Sequence, residues 1–227
     1  PRSEVTVNRA KAALRAFGGW LADTGLADRN PAAGLSIRRV TRHSPSTLSD
    51  PERKRMLREV GARKGEAAAR DRVMLELLLG TGIRLAELVG LDLGDVDLDG
   101  KRIAIHAKGG SDETRFLSAD LRRLLRRYLR HRNQAASDSP ALFLSNRSTR
   151  ISKRKVQARF RQWLAWAGID RPGLSPHSLR HTFGTRLYQK SKDLLLVSRA
   201  LGHRTIEATQ VYVRSTDDHL EDALEQF

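Results

Sequence analysis

Between Val73 and Leu79 the chain places six large apolar side chains in seven positions: Val73, Met74, Leu75, Leu77, Leu78 and Leu79. A helix that is apolar around its whole circumference is stable only when other elements surround it. The stretch Arg70 to Leu79 is therefore expected to be a buried central helix. The rest of the domain must be built around it.

The flanking sequence supplies that surround. A domain is expected to begin near Leu48, where Ser49 and Glu52 stand at capping-box spacing and Pro51 sits in the first turn. A helix to about Val60 follows. Gly80-Thr81-Gly82 breaks the central helix, and a short helix starts near Arg84.

The period then changes. Val96 to Asp99, Arg102 to His106 and Thr114 to Leu117 read as short strands. Asp99-Gly100 marks one hairpin turn and Gly109-Gly110-Ser111-Asp112 a longer one. Three short strands cannot stand alone, so helices must cover one face.

Beyond them, Leu121, Leu124, Leu125, Tyr128 and Leu129 line one helix face. Arg122, Arg123, Arg126, Arg127 and Arg130 take the other, which reads as a solvated charged face. Ser152 to Ala167 is a further helix, with Phe160, Trp163 and Leu164 inward. The expected fold class is mainly α with a small three-stranded antiparallel β-sheet.

Upstream, Thr6 to Asp23 carries Val7, Ala10, Leu14, Phe17 and Leu21 at helical spacing, stopped by Thr24-Gly25 and turned at Asn30-Pro31. So little helix cannot enclose a core, so residues 1–35 read as the end of a small helical domain. Residues 36–47 are basic and aperiodic, a linker that either lies along a phosphate backbone or is simply solvated. Residues 48–227 form the main domain, with a helix over 216–227 carrying Leu220, Ala223, Leu224 and Phe227. The opening Pro1-Arg2-Ser3-Glu4 has no initiator methionine and no apolar signal segment, so an incomplete N-terminus is expected.

The charge balance narrows the partners. Against 26 Asp+Glu stand 42 Lys+Arg, a formal net charge of +16. Such a field attracts polyanions and gains from counterion release, which favours nucleic acid over a membrane surface. No apolar run reaches the 18 or so residues of a membrane span. The 227 residues contain no cysteine, which removes disulfides, thiolate metal sites and cysteine nucleophiles. There is no phosphate-binding Gly-x-x-x-x-Gly-Lys loop and no carboxylate cluster of the two-metal kind, so neither cofactor nor metal is expected. A cytoplasmic, nucleoid-associated protein follows.

Five segments concentrate residues suited to chemistry. Arg84 follows Gly80-Thr81-Gly82. Lys108 precedes Gly109-Gly110 at a hairpin tip. Pro176-His177-Ser178-Leu179-Arg180-His181 opens a helix, with His177 and Arg180 on one face. Leu201-Gly202-His203 places a histidine at a helix junction, and Tyr212 follows nine positions later in Val211-Tyr212-Val213. Singly, each has a plain structural reading: a surface ion pair, a turn, a cap, a core tyrosine.

Together, in this order, they resemble the tyrosine recombinase (phage integrase) family, especially its Xer-like members. The resemblance covers about residues 47 to 215. It rests on Thr81-Gly82-Ile83-Arg84 with Glu87-Leu88, on hairpin Lys108, on His177-x-x-Arg180-His181, on Leu201-Gly202-His203, and on Thr209-x-x-Tyr212. Asn30-Pro31-Ala32 resembles the end of that family's helical core-binding (SAM-like) domain, most of which is absent. The resemblance implies a catalytic domain at 48–227 that cleaves and rejoins DNA through a 3′-phosphotyrosyl intermediate, without metal or ATP. It implies double-stranded DNA as partner and a homo- or hetero-tetramer on DNA formed from free monomers.

Under that resemblance Arg84 and Arg180 bind the non-bridging oxygens, His203 adds a donor, His177 accepts the Tyr212 proton, and Lys108 protonates the leaving 5′ oxygen. Glu87 is expected to orient Arg84, and His181 either contacts phosphate or is structural. Arg9, Arg15, Lys153 and Arg154 are candidate DNA contacts. The C-terminal helix docks either on a neighbouring protomer or in cis. A type IB topoisomerase or telomere resolvase shares this chemistry, and a non-catalytic architectural DNA-binding protein is the alternative of another class.

Overall fold

The computed structural model describes residues 4–38, 46–106, 112–134, 137–203 and 205–214. The chain divides into two compact units, Pro1–His43 and Ser44–Phe227.

The smaller unit is one long helix and a returning segment. Helix α1 spans Glu4–Asp23, two residues earlier than its apolar spacing suggests. Asn30 makes the return: its Nδ2 donates to Arg15 O at 3.0 Å and its Oδ1 accepts from Ala32 N at 2.9 Å. Asn8 donates to Arg38 O and Lys11 to Ser36 O, so Ser36 and Arg38, expected in the linker, lie back along α1. Val7, Leu14, Phe17 and Trp20 remain exposed.

In the larger unit, α2 spans Asp50–Gly61. Its capping box is formed, with Ser49 N donating to Glu52 Oε2 at 2.8 Å and Pro51 in the first turn. Helix α3, Glu66–Thr81, is the buried centre: Val73, Met74, Leu75, Leu77 and Leu78 are fully enclosed. It packs against α2, against α5 (Ala119–Gln134) and against α7 (Pro176–Ser191). Gly82 ends α3 in the left-handed conformation, and α4 follows at Leu85–Gly90.

The sheet has the order β1-β2-β3, with β1 Val96–Asp97, β2 Arg102–His106 and β3 Asp112–Phe116, all antiparallel. Register pairs Arg102 with Phe116 and His106 with Asp112. Strand β3 begins two residues earlier than the sequence suggests. His106 stands at the loop end of the β2–β3 ladder, its Nδ1 2.8 Å from Asp112 Oδ1 and its Nε2 2.9 Å from Asp95 Oδ1.

Helix α6, Lys153–Trp166, is capped by Ser152 and buries Val156, Phe160 and Trp163. Asp71 of α3, wholly buried, accepts from Trp163 Nε1 at 3.0 Å and pairs with Arg159, which ties α6 to the centre. Helices α8 (Leu194–Leu201) and α9 (Val211–Arg214) follow α7 among the described residues. Tyr212, Val197 and Leu201 form a small separate apolar cluster with Phe183, Leu187, Tyr188 and Val211. Among the described residues no helix is long and apolar enough to cross a membrane.

Candidate active site

The C-terminal end of α8 collects the arginines. Arg180, on the second turn of α7 and 2% exposed, donates from Nη2 to Leu201 O and from Nη1 to Gly82 O, each at 2.7 Å. Arg84 precedes α4 in extended conformation, and its Nη2 lies 3.3 Å from Gly202 O. Arg115 of β3, also buried, donates from Nη2 to Leu201 O at 3.3 Å. Three guanidiniums from three elements thus meet the last carbonyls of one helix. A helix leaves its final C=O groups unpaired and presents partial negative charge there, so cations are favoured.

Two carboxylates tune the arrangement. Glu87 accepts from Arg84 N at 2.7 Å and from Arg84 Nη1 at 2.6 Å, which fixes the backbone and the side chain of that arginine together. Glu113 accepts from Arg115 Nη2 at 2.5 Å. Gly202 lies between these groups at φ 61°, and a Cβ there would sit 2.1 Å from Glu113 Oε2. The glycine of Leu-Gly-His is thus required both by the left-handed cap and by the ion pair packed against it.

The nucleophile candidate faces the histidines. Tyr212 is 1% exposed, and its Oη is 3.2 Å from His181 Nδ1. The ring of His203 lies parallel to that of Tyr212, with centroids 6.3 Å apart, and His203 Nδ1 is 2.7 Å from Thr209 Oγ1. His177 is exposed and meets His181 edge-on at 4.5 Å between centroids. Gly184 makes room for the phenol: a Cβ there would stand 2.6 Å from Tyr212 Cζ.

Burial and the surrounding positive charge set the protonation states. Burial, then His177, Arg180 and His203, push His181 down to about 4. Burial, then Arg180 and Arg84, push His203 down to about 4. His177, exposed but with part of its ring enclosed by protein, is lowered by that partial desolvation and then by Arg180 and Arg84. All three imidazoles are therefore neutral at neutral pH. Burial and Arg84 lower Arg180 to about 10, which leaves it charged. Burial raises Tyr212, and Arg180 opposes that rise.

The structure therefore brings together Arg84, His177, Arg180, His203 and Tyr212, with Glu87 and His181 among them. Lys108 and the expected helix at 216–227 lie outside the described residues. Lys153 and Arg154 are exposed on the first turn of α6 and make no hydrogen bond or ion pair with the cluster. Arg9 and Arg15 are exposed on α1, in the other unit. Among the described residues no group of three metal-ligating side chains is placed to hold an ion.

Sequence reasoning missed Arg115, Glu113 and Gly184. Nothing local distinguishes Arg115 from the other basic residues; the acceptor that brings it to the site, Leu201 O, lies 86 positions away. The phenol lies 3.2 Å from His181 Nδ1, whereas the expected proton acceptor is His177. Both project from one face of α7, so spacing does not separate them.

Residues 47–219 match the phage integrase family. Tyrosine recombinase XerC of Salmonella typhi is 38% identical over 208 residues, which are 92% of this chain and 68% of that protein. Tyrosine recombinase XerC of Shewanella amazonensis is 35% identical over 220 residues, 97% of this chain and 72% of that protein. In structure, XerA recombinase superposes with a TM-score of 0.71 at 27% identity, covering 99% of this chain and 76% of that one. XerH bound to a palindromic difH substrate, a post-cleavage complex, gives a TM-score of 0.85 at 24% identity, covering 98% and 67%.

Proposed function

The chain belongs to the phage integrase family, and from that premise we propose that Tyr212 is the nucleophile with which it cuts one DNA strand. It is a site-specific tyrosine recombinase, a DNA strand transferase acting on double-stranded DNA.

The observation that carries the residue assignment is the meeting of Tyr212, three neutral imidazoles and two site-facing guanidiniums at one helix end. A phosphodiester repels nucleophiles through its own charge. Arg84 and Arg180 offset this by donating to the non-bridging oxygens, and each good donor contributes roughly 3 kcal/mol to a preorganised site. His203 is the further donor. The phenol lies 3.2 Å from His181 Nδ1. Exposed His177, neutral at neutral pH, accepts the phenol proton once the oxygen reaches phosphate.

Attack by Tyr212 forms a 3′-phosphotyrosyl bond and releases a 5′-hydroxyl. Lys108 supplies the proton to that leaving oxygen. The new ester keeps the energy of the broken one, so a different 5′-hydroxyl can attack it and rejoin strands. Exposed Lys153 and Arg154 are suited to phosphate contact, as are Arg9 and Arg15 on α1. The working assembly is a tetramer on DNA, and the place of action is the bacterial nucleoid.

The test is covalent capture. On a nicked duplex carrying the sequence that the chain selects from a random DNA pool, the wild type should form a denaturant-resistant adduct. Tyr212→Phe should fold and bind without forming it. An adduct that persists in Tyr212→Phe removes the tyrosine from the reaction. Relaxation of supercoils without exchange between two sites would favour a topoisomerase instead.

A further inference from the structure

One hydrogen bond of the site has no part in the steps above. His203 Nδ1 lies 2.7 Å from Thr209 Oγ1, and Thr209 is wholly buried. Among the described residues the Thr209 hydroxyl has no second partner. A hydroxyl carries one proton, and a buried proton without an acceptor is unfavourable. If Nδ1 carried the ring hydrogen, Thr209 would be the acceptor and its own proton would be stranded. If Thr209 donates to Nδ1, both groups are satisfied and the ring hydrogen must be on Nε2.

We propose that Thr209 is a positioning residue that holds His203 in the Nε2–H tautomer, so that a neutral imidazole offers an N–H to the phosphate. This rests on the reading of His203 as a phosphate donor. The low proton affinity of the half-buried ring supports it: at neutral pH His203 has one ring hydrogen, and its location is decided by the partner of the other nitrogen. Arg180 and Arg84 disfavour a second positive charge here, so the site uses a neutral donor. The backbone carbonyl of Thr209 also accepts from Tyr212 N at 3.0 Å, which starts the turn that carries the nucleophile. One residue thus sets the tautomer of the donor and seats the tyrosine.

The experiment uses the full chain with ¹⁵N-labelled histidine and no DNA. Long-range ¹H–¹⁵N spectra read each tautomer, and His203 is assigned by its loss in His203→Gln. The wild type should show the Nε2–H pattern. Thr209→Val, which removes only the hydroxyl, should show a mixture, and Thr209→Ser should restore the wild-type pattern. In the adduct assay Thr209→Val should fall by about 10- to 100-fold, the range for partners that orient a functional histidine, while Thr209→Ser stays close to wild type. An Nδ1–H wild type overturns the proposal, even where Thr209→Val fails to fold. So does a Thr209→Val chain with an unchanged tautomer. Absence of any adduct in the wild type counts against the recombinase reading and leaves the tautomer to the spectra.

Discussion

Arg180 and Arg115 donate to one acceptor: Leu201 O receives Nη2 of the first at 2.7 Å and Nη2 of the second at 3.3 Å. The shared carbonyl links β3, on the hairpin that leads to Lys108, to the arginine of the His-x-x-Arg motif. Arg115 is thus held beside Arg180 through that carbonyl.

Replacing Arg115 with methionine should expose that link. The change strands Glu113 and leaves Leu201 O with one donor fewer. Losing a partner of a mostly buried charged group costs roughly 1–3 kcal/mol. Urea unfolding should show a lower midpoint, and adduct formation should drop although Arg115 is buried. An unchanged midpoint would mean that the ion pair contributes nothing to the fold.

Glu87→Gln tests the orientation of Arg84. One carboxylate now serves both the Arg84 N–H and its guanidinium, through different oxygens. An amide has one acceptor oxygen and cannot hold both. Adduct formation should fall about 10-fold, in the range for residues that orient a functional group, with little change in thermal stability. Full activity in the variant would show that Arg84 needs no such anchor.

Gly184→Ala should disturb the nucleophile directly. The added methyl would stand 2.6 Å from Tyr212 Cζ and 3.1 Å from Leu201 Cδ1. Overpacking of this kind typically costs about 1–3 kcal/mol. The phenol should leave its seat, which ¹³C-tyrosine spectra would report as a changed Tyr212 environment. A variant with wild-type stability and an unmoved Tyr212 signal would contradict the packing described.

Stability should respond to pH through His181 and His203. Both have folded pKa values near 4, below the ordinary 6.5 of the unfolded chain. Between those values the unfolded state binds more protons, so stability rises with pH and is lost as pH falls from about 6.5 towards 4. Urea midpoints measured across this window should decline on acidification. A His181→Gln, His203→Gln chain should lose part of that slope; an unaltered slope would assign it to other groups.

Much of the fold was legible because its signals are local. The apolar circumference of α3, the Ser49–Glu52 box, the left-handed stop at Gly82 and the turn before Arg102 each depend on a few adjacent residues. The site residues were legible as motifs, since each motif occupies one turn or one cap. Singly none of them identifies a site; it is their order together, and the resemblance to the tyrosine recombinases that this order carries, that makes Arg84, His177, Arg180, His203 and Tyr212 candidates.

What tertiary structure decided are the choices between residues that local rules treat alike. His177 and His181 share a face of α7, and only the position of α9 selects His181 as the partner of the Tyr212 phenol, 31 residues away. Arg115 is one of 42 basic residues until β3 is laid against the end of α8. Gly184 resembles any helical glycine until the phenol fills its missing Cβ. Sequence periodicity reports which side of an element is buried; which atoms meet there depends on how separate elements pack, and that packing is settled by the whole core at once.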